Sequence, residues 1–146
     1  MFIGMFLIQY FVLSYVMSNS LENITNSTGK IYMCTIMGLL MVLLDMLLHK
    51  THIQHIFIIL LLIFLIIYLY KIQFGVDEKN YIREMIEHHS MALLTSQNIL
   101  EKTKNPAVVN LATKIVVNQE QEIADMRYLL KSIWTFFIKK NSNNDI

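Results

Sequence analysis

The sequence predicts an all-α chain in which three N-terminal transmembrane helices precede an antiparallel two-helix hairpin packed like part of a four-helix bundle. Three observations carry this. The first half holds three long apolar runs, most charge lies in the second half, and the second half repeats apolar residues at helical spacing around an Asn-Pro pair. Of the 12 Lys and Arg, nine follow Asp77, and nine of the 11 Asp and Glu lie from Asp77 onward. In a chain that is 55% hydrophobic and 16% charged, this asymmetry builds one half for lipid and the other for water.

The expected division is a transmembrane region over residues 1–72, a hairpin domain over 73–140 and a tail over 141–146. Charges of the second half balance, which leaves no basic surface for nucleic acid. The single cysteine, Cys34, excludes an internal disulfide and a thiolate-rich zinc site. Within its apolar run it reads as a buried thiol.

The spans are expected over about residues 1–17, 31–48 and 53–72. Met1 to Met17 contains no charged side chain, Ile31 to Leu48 contains only Asp45, and His55 to Tyr70 is almost wholly Ile, Leu and Phe. A spanning helix needs roughly 20 apolar residues. The third run reaches that length by including Ile53 and Ile72, with Lys71 free to snorkel to the interface. The first run has a second reading, a signal peptide with Ser18-Asn19-Ser20 as its cleavage region. It lacks a basic start, so a retained helix is the reading adopted. With either, residues 18–30 and everything after Tyr70 share one side, and the loop around Lys50 lies on the other.

Lys30, Lys71, Lys79 and Arg83 outnumber Lys50, which favours a cytoplasmic hairpin; a signal-like start favours the opposite side. The tripeptides Asn23-Ile24-Thr25 and Asn26-Ser27-Thr28 fit glycosylation in a lumenal loop, but in a loop this short, this near the bilayer and this rich in Asn, Ser and Thr, chance is the preferred reading. Met33, Met37 and Met41 form one stripe of the second span. Packing is the preferred reading of these thioethers, with passage of Cu(I) as the alternative. Asp45, a costly group inside a span, reaches a partner or the interface. His49, His52 and His55 read as interfacial polar residues, with a metal site as the alternative.

From Asp77 the pattern becomes amphipathic. Asp77 and Glu78 place negative charge where a helix begins. An apolar stripe runs through Ile82, Met85 and Ile86, then His89, Leu93 and Leu100. Asn105-Pro106 stops this helix and starts the next, with Pro at a first helical position. The second stripe runs through Val108, Leu111, Ala112 and Ile115, is interrupted at Gln119 and Glu122, and resumes at Ile123, Met126, Leu130 and Ile133. Counted back along an antiparallel hairpin that turns near residues 103–105, Trp134, Phe136 and Phe137, followed by Lys139 and Lys140, return to the level of Ile72 as an interfacial anchor.

The interruptions of the two stripes face each other. In an antiparallel hairpin turning near residues 103–105, His89 falls opposite Glu120 and within one turn of Gln119 and Glu122. Met85 lies one turn from His88 and His89 on the same helix. The expected cluster is Met85, His88, His89, Gln119, Glu122 and Met126. Imidazole with thioether suits copper, particularly Cu(I), and His with Glu also accepts zinc. The alternative is that His89 and Glu122 pair only to fix packing. A di-iron centre is disfavoured, because no Glu stands three residues before a His. No acid–base–nucleophile set accompanies Ser90, Thr95 and Ser96, and the chain reads as a non-enzyme.

The stretch Tyr81-Ile-Arg-Glu-Met-Ile-Glu-His-His-Ser-Met-Ala-Leu-Leu-Thr-Ser, with Asn105-Pro106-Ala-Val-Val-Asn-Leu-Ala, Gln119 and Glu122-Ile-Ala-Asp-Met126, resembles the domain-of-unknown-function 305 family. Members of that family have a Met-Ile-x-His-His motif, an Asp/Asn-Pro turn and a Gln-x-x-Glu-Ile-x-x-Met segment. The resemblance implies a ferritin-like helical fold, a copper role outside the cytoplasm, and Met85, His88, His89 and Met126 as metal-site candidates. This chain lacks the second His and Met set of fuller members and the basic N-terminus of bacterial membrane forms. The expected function is a membrane-anchored metal-binding protein for copper buffering, delivery or tolerance. Its hairpin is expected on the extracytoplasmic or lumenal side, its partners are the bilayer and the metal ion, and homo-oligomers remain open. The alternative is a structural or partner-docking membrane protein whose His/Glu cluster only fixes packing.

Overall fold

The structure is a computed structural model, with the backbone described for residues 1–142 and side chains for residues 1–133. Regular structure among these residues is helical: α1 (Phe2–Met17), a 3-10 turn (Leu21–Asn23), α2 (Thr28–Leu48), α3 (Ile53–Lys71), α4 (Glu78–Leu100) and α5 (Pro106–Ser142). The chain forms two compact units, one of Met1–Val16 with Asn26–Asn80 and one of Met17–Thr25 with Tyr81–Ile146.

In the first unit, α2 and α3 are long and apolar enough to cross a bilayer, whereas α1 is a shorter apolar helix. Its middle, Ile8–Leu13, is π-helical. The wider π turn shortens the helix below the ~1.5 Å per residue of an ideal α-helix. The expected first span therefore exists as a helix but is the least able of the three to cross. Close approach of α1 to α2 depends on Gly38, where an added Cβ would lie 2.7 Å from the Phe2 ring. Lys30 Nζ sits 4.5 Å from the centre of the Tyr10 ring, a cation–π contact, while Tyr10 donates to Asn26 Oδ1 at 2.8 Å. Ser27 caps α2 by accepting from Lys30 N at 3.1 Å. On the α3 side, Tyr32 donates to the Phe74 carbonyl at 2.9 Å.

The second unit is the hairpin with one addition. Asn105 caps α5 by accepting from Ala107 N at 3.0 Å, and Pro106 is its first residue, as the Asn-Pro pair leads one to expect. Between the helices, Ile82, Ile86, Leu93 and Ile123 form the buried core, with Val116, Met126, Leu130 and Ile133 packed against it.

The addition is Met17–Thr25, which the sequence reads as a plain interhelical loop. It folds onto α4 and α5 as a polar clasp. Ser90 on α4 is fully buried. Its hydroxyl lies 2.7 Å from Ser18 Oγ, donates to Asn19 Oδ1 at 2.7 Å and accepts from Asn19 N at 3.0 Å. Glu87 accepts from Thr25 N at 2.6 Å, and Thr25 donates to the Arg83 carbonyl at 2.7 Å. From α5, Arg127 reaches Asn23 Oδ1 at 2.8 Å and Glu22 Oε2 at 3.2 Å. Buried polar groups tolerate burial only when so paired. The interfacial-anchor expectation for Trp134, Phe136, Phe137, Lys139 and Lys140 concerns side chains outside those described, as does most of the tail.

Two substitutions test these contacts in the full-length protein in detergent, read by denaturant unfolding. Ser90→Val leaves the clasp's buried polar groups unpaired and is expected to cost about 1–3 kcal/mol; an unchanged midpoint would show that the clasp does not form. Gly38→Leu overpacks against Phe2, with an expected loss of about 1–3 kcal/mol, and an unaltered midpoint would show α1 unpacked from α2.

Candidate metal centre

The hairpin core places the site. Because Ile82, Ile86 and Leu93 hold one face of α4 against Ile123 of α5, His89 projects across the same seam. His89 Nε2 lies 2.7 Å from Glu122 Oε2, with the His89 side chain 14% and that of Glu122 54% exposed. The meeting point is two residues further along α5 than Glu120, the position given by equal counting from a turn at 103–105. The chain spends residues 101–105 in a turn closed by Lys102 N and Thr103 N on the Ile99 carbonyl, which carries the start of α5 onward.

Helical spacing locates the thioethers. Met85 stands four residues before His89 on α4, and Met126 four residues after Glu122 on α5. The helices run antiparallel, so both methionines lie one turn from the His–Glu pair toward the same end, about 6 Å along the axis. Met85 and Met126 are half-buried, and Met126 packs against the apolar core. Gln119 is half-buried on α5, one turn from the pair in the other direction.

His88 diverges from its neighbour. Its ring is 57% exposed and its Nε2 lies 3.9 Å from Glu84 Oε1 on its own helix. Of the six expected residues, the structure therefore brings His89 and Glu122 into contact, sets Met85 and Met126 one turn away, and turns His88 outward. Among the described residues no three His, Cys, Asp or Glu side chains converge as a metal site. The histidines at the α2–α3 connection stay local: His49 Nδ1 lies 3.1 Å from Asp45 Oδ1, and the rings of His52 and of His55, in the first turn of α3, are 6.2 Å apart. Cys34 is buried on α2.

Sequence reasoning missed Ser90 and Arg127, which anchor the clasp. One signal was present: Ser90 interrupts the buried stripe four residues after Ile86, where an apolar residue is expected, and a buried hydroxyl calls for a partner from elsewhere in the chain.

The family model for a domain of unknown function, DUF305, matches residues 69–132, a stretch that includes the His89–Glu122 pair and both methionines. An uncharacterized protein of Acanthamoeba polyphaga mimivirus is 32% identical over 134 residues, covering 89% of this chain and 88% of that protein. No solved structure matches the chain. The similarity to the viral protein runs across most of both chains, and the domain match covers most of the hairpin: the chain belongs to the DUF305 family.

Proposed function

We propose that this is a membrane-anchored metal-binding protein whose hairpin holds a soft ion, copper as Cu(I), for buffering, delivery or tolerance. The observation that carries the reading is the 2.7 Å contact between His89 Nε2 and Glu122 Oε2. A carboxylate on one ring nitrogen fixes the tautomer and orientation of an imidazole and presents the other nitrogen to a metal. Here that donor is Nδ1. Two unbranched thioethers, Met85 and Met126, flank the pair from one side, and each has the rotatable bonds to reach toward it. One imidazole with two thioethers matches the ligand preference of Cu(I). Zinc, which takes four N, O or S ligands, fits this set less well. Glu122 acts in this reading as the residue that positions His89.

The anchor is α2 and α3. Phe57, Leu61, Phe64 and Tyr68 of α3 are each more than 60% exposed. Apolar surface on that scale calls for lipid or protein cover. We assign the hairpin to the extracytoplasmic side, in keeping with the signal-like first helix.

The same His89–Glu122 contact favours a second reading, a satisfied pair that fixes helix register in a structural membrane protein. Competition of the full-length, detergent-solubilised protein against a chromogenic Cu(I) chelator separates the two. The metal reading expects tight Cu(I) binding, weakened at least tenfold by His89→Ala and by Met85→Leu with Met126→Leu. Glu122→Gln should weaken it about 10- to 100-fold, the usual effect of removing an orienting partner. If the folded wild-type protein takes up no Cu(I) while Glu122→Gln lowers only its unfolding midpoint, the pair serves packing and the metal reading fails.

A further inference from the structure

A buried polar side chain needs a partner, and the flank of the hairpin under Met17–Thr25 supplies partners in a continuous chain. Ser90 of α4 donates to Asn19 Oδ1 at 2.7 Å. The same oxygen accepts from Asn23 Nδ2 at 2.7 Å, and Asn23 Oδ1 accepts from Arg127 of α5 at 2.8 Å. A relay of three hydrogen bonds therefore joins α4 to α5 through two asparagines of the clasp. Ser90 is 0% and Asn23 4% exposed, so water does not compete for either. Both ends of the Asn23 amide are used, and Arg127 has a second hold on Glu22 Oε2 at 3.2 Å.

The relay spans the levels of the candidate site. With His89 facing Glu122 as the register, Met85 falls level with Met126, Ser90 with Gln121 and Arg127 with Glu84. One end of the relay thus lies one residue past the His–Glu pair, the other one residue past the methionines. All four candidate ligands lie between those ends. The turn at residues 101–105 is on the far side of His89 from the methionines. At the methionine end, packing comes from Ile82 and Ile86 with Met126, Leu130 and Ile133. Apolar contact is non-directional and methionine adapts to many gaps, so neither fixes a distance. Hydrogen bonds do, because they weaken steeply away from their preferred length and angle.

We propose that the clasp is a positioning strap: the Ser90–Asn19–Asn23–Arg127 relay sets the separation of α4 and α5 at the level of Met85 and Met126. It thereby decides whether both thioethers reach an ion held by His89. The effect on helix separation stands by itself; the effect on the ion rests on the metal reading above. Asn23 and Arg127 are then positioning residues, which act on the ion only through the methionines. Met17–Thr25 lies outside residues 69–132, the stretch the family model matches, so this control comes from the N-terminal part of the chain.

Two readouts on the full-length protein in detergent test the strap. The first needs no metal. Nitroxide labels at Tyr81→Cys and Tyr128→Cys, exposed positions on α4 and α5, in a Cys34→Ala background, report helix separation by double electron–electron resonance. Arg127→Met, which keeps a long side chain, and Asn23→Ala, which leaves both helices unaltered, are each expected to lengthen and broaden the distance distribution. The second is the Cu(I) chelator competition joined to X-ray absorption. Both variants are expected to bind at least tenfold more weakly, losing sulfur ligation and keeping nitrogen. Gly38→Leu, which strains the other unit, controls for general destabilisation and should retain the wild-type separation and affinity. An unchanged distance in both folded variants overturns the strap. A longer distance with full Cu(I) affinity and sulfur ligation overturns its role at the site and leaves the metal reading in place. A wild-type protein that binds no Cu(I) removes the metal reading and the strap's role at the site, and the distance measurement alone then upholds or overturns its control of helix separation.

Discussion

The register at which α4 meets α5 governs everything else in the hairpin unit. It is set by Ile82, Ile86 and Leu93 closing on Ile123, and the polar residues inherit their positions from that contact. His89 stands in the same face of α4 as Ile86 and Leu93, so it reaches Glu122. Moving one helix by one residue against the other would rotate the seam by about 100° and separate the pair. The apolar core and the His–Glu contact therefore reinforce one arrangement, which is the agreement between local and global preference that makes a small core specific.

A two-helix layer has few ways to bury both of its sides. Here the chain brings back Met17–Thr25 and covers one flank with hydrogen bonds centred on Ser90 and Arg127. Such a clasp contributes specificity more than hydrophobic energy, since each bond adds only about 0.5–1.5 kcal/mol net but leaves a costly orphan when broken. It also makes the segment between the first two apolar helices part of the same folded unit as the candidate site. The other flank keeps His88, Ile99 and Leu111 open, which leaves the site accessible from one direction.

The sequence made the hairpin legible because its signals are local and periodic. Asn105-Pro106 marks the helix start by capping chemistry, and the stripes at three- and four-residue spacing name Ile82, Ile86, Leu93 and Ile123 as interior. The same periodicity brought His89 near Glu122, missing the facing residue by two positions, because the path of residues 101–105 through the turn is not encoded in any stripe. The divergence of His88 was hidden by its adjacency to His89: neighbours on a helix lie about 100° apart and cannot face one site together without help. The clasp was illegible for a different reason. Ser18, Asn19, Asn23 and Thr25 have no period and look like any polar loop, and their partners on α4 and α5 lie 58 or more residues away in sequence, as in the contacts of Thr25 with Arg83 and Glu87. The π turn in α1 likewise has no periodic marker in a run whose polar residues, Gln9 and Ser14, do not distinguish a π turn from an α turn.

The most direct test of the site is X-ray absorption at the copper edge on the full-length protein loaded with Cu(I). Sulfur and imidazole nitrogen bound together to the ion, with the sulfur contribution lost in Met85→Leu with Met126→Leu, is the expected spectrum. A spectrum with nitrogen or oxygen alone, unchanged by the methionine substitutions, would contradict a thioether site built on the His89–Glu122 pair.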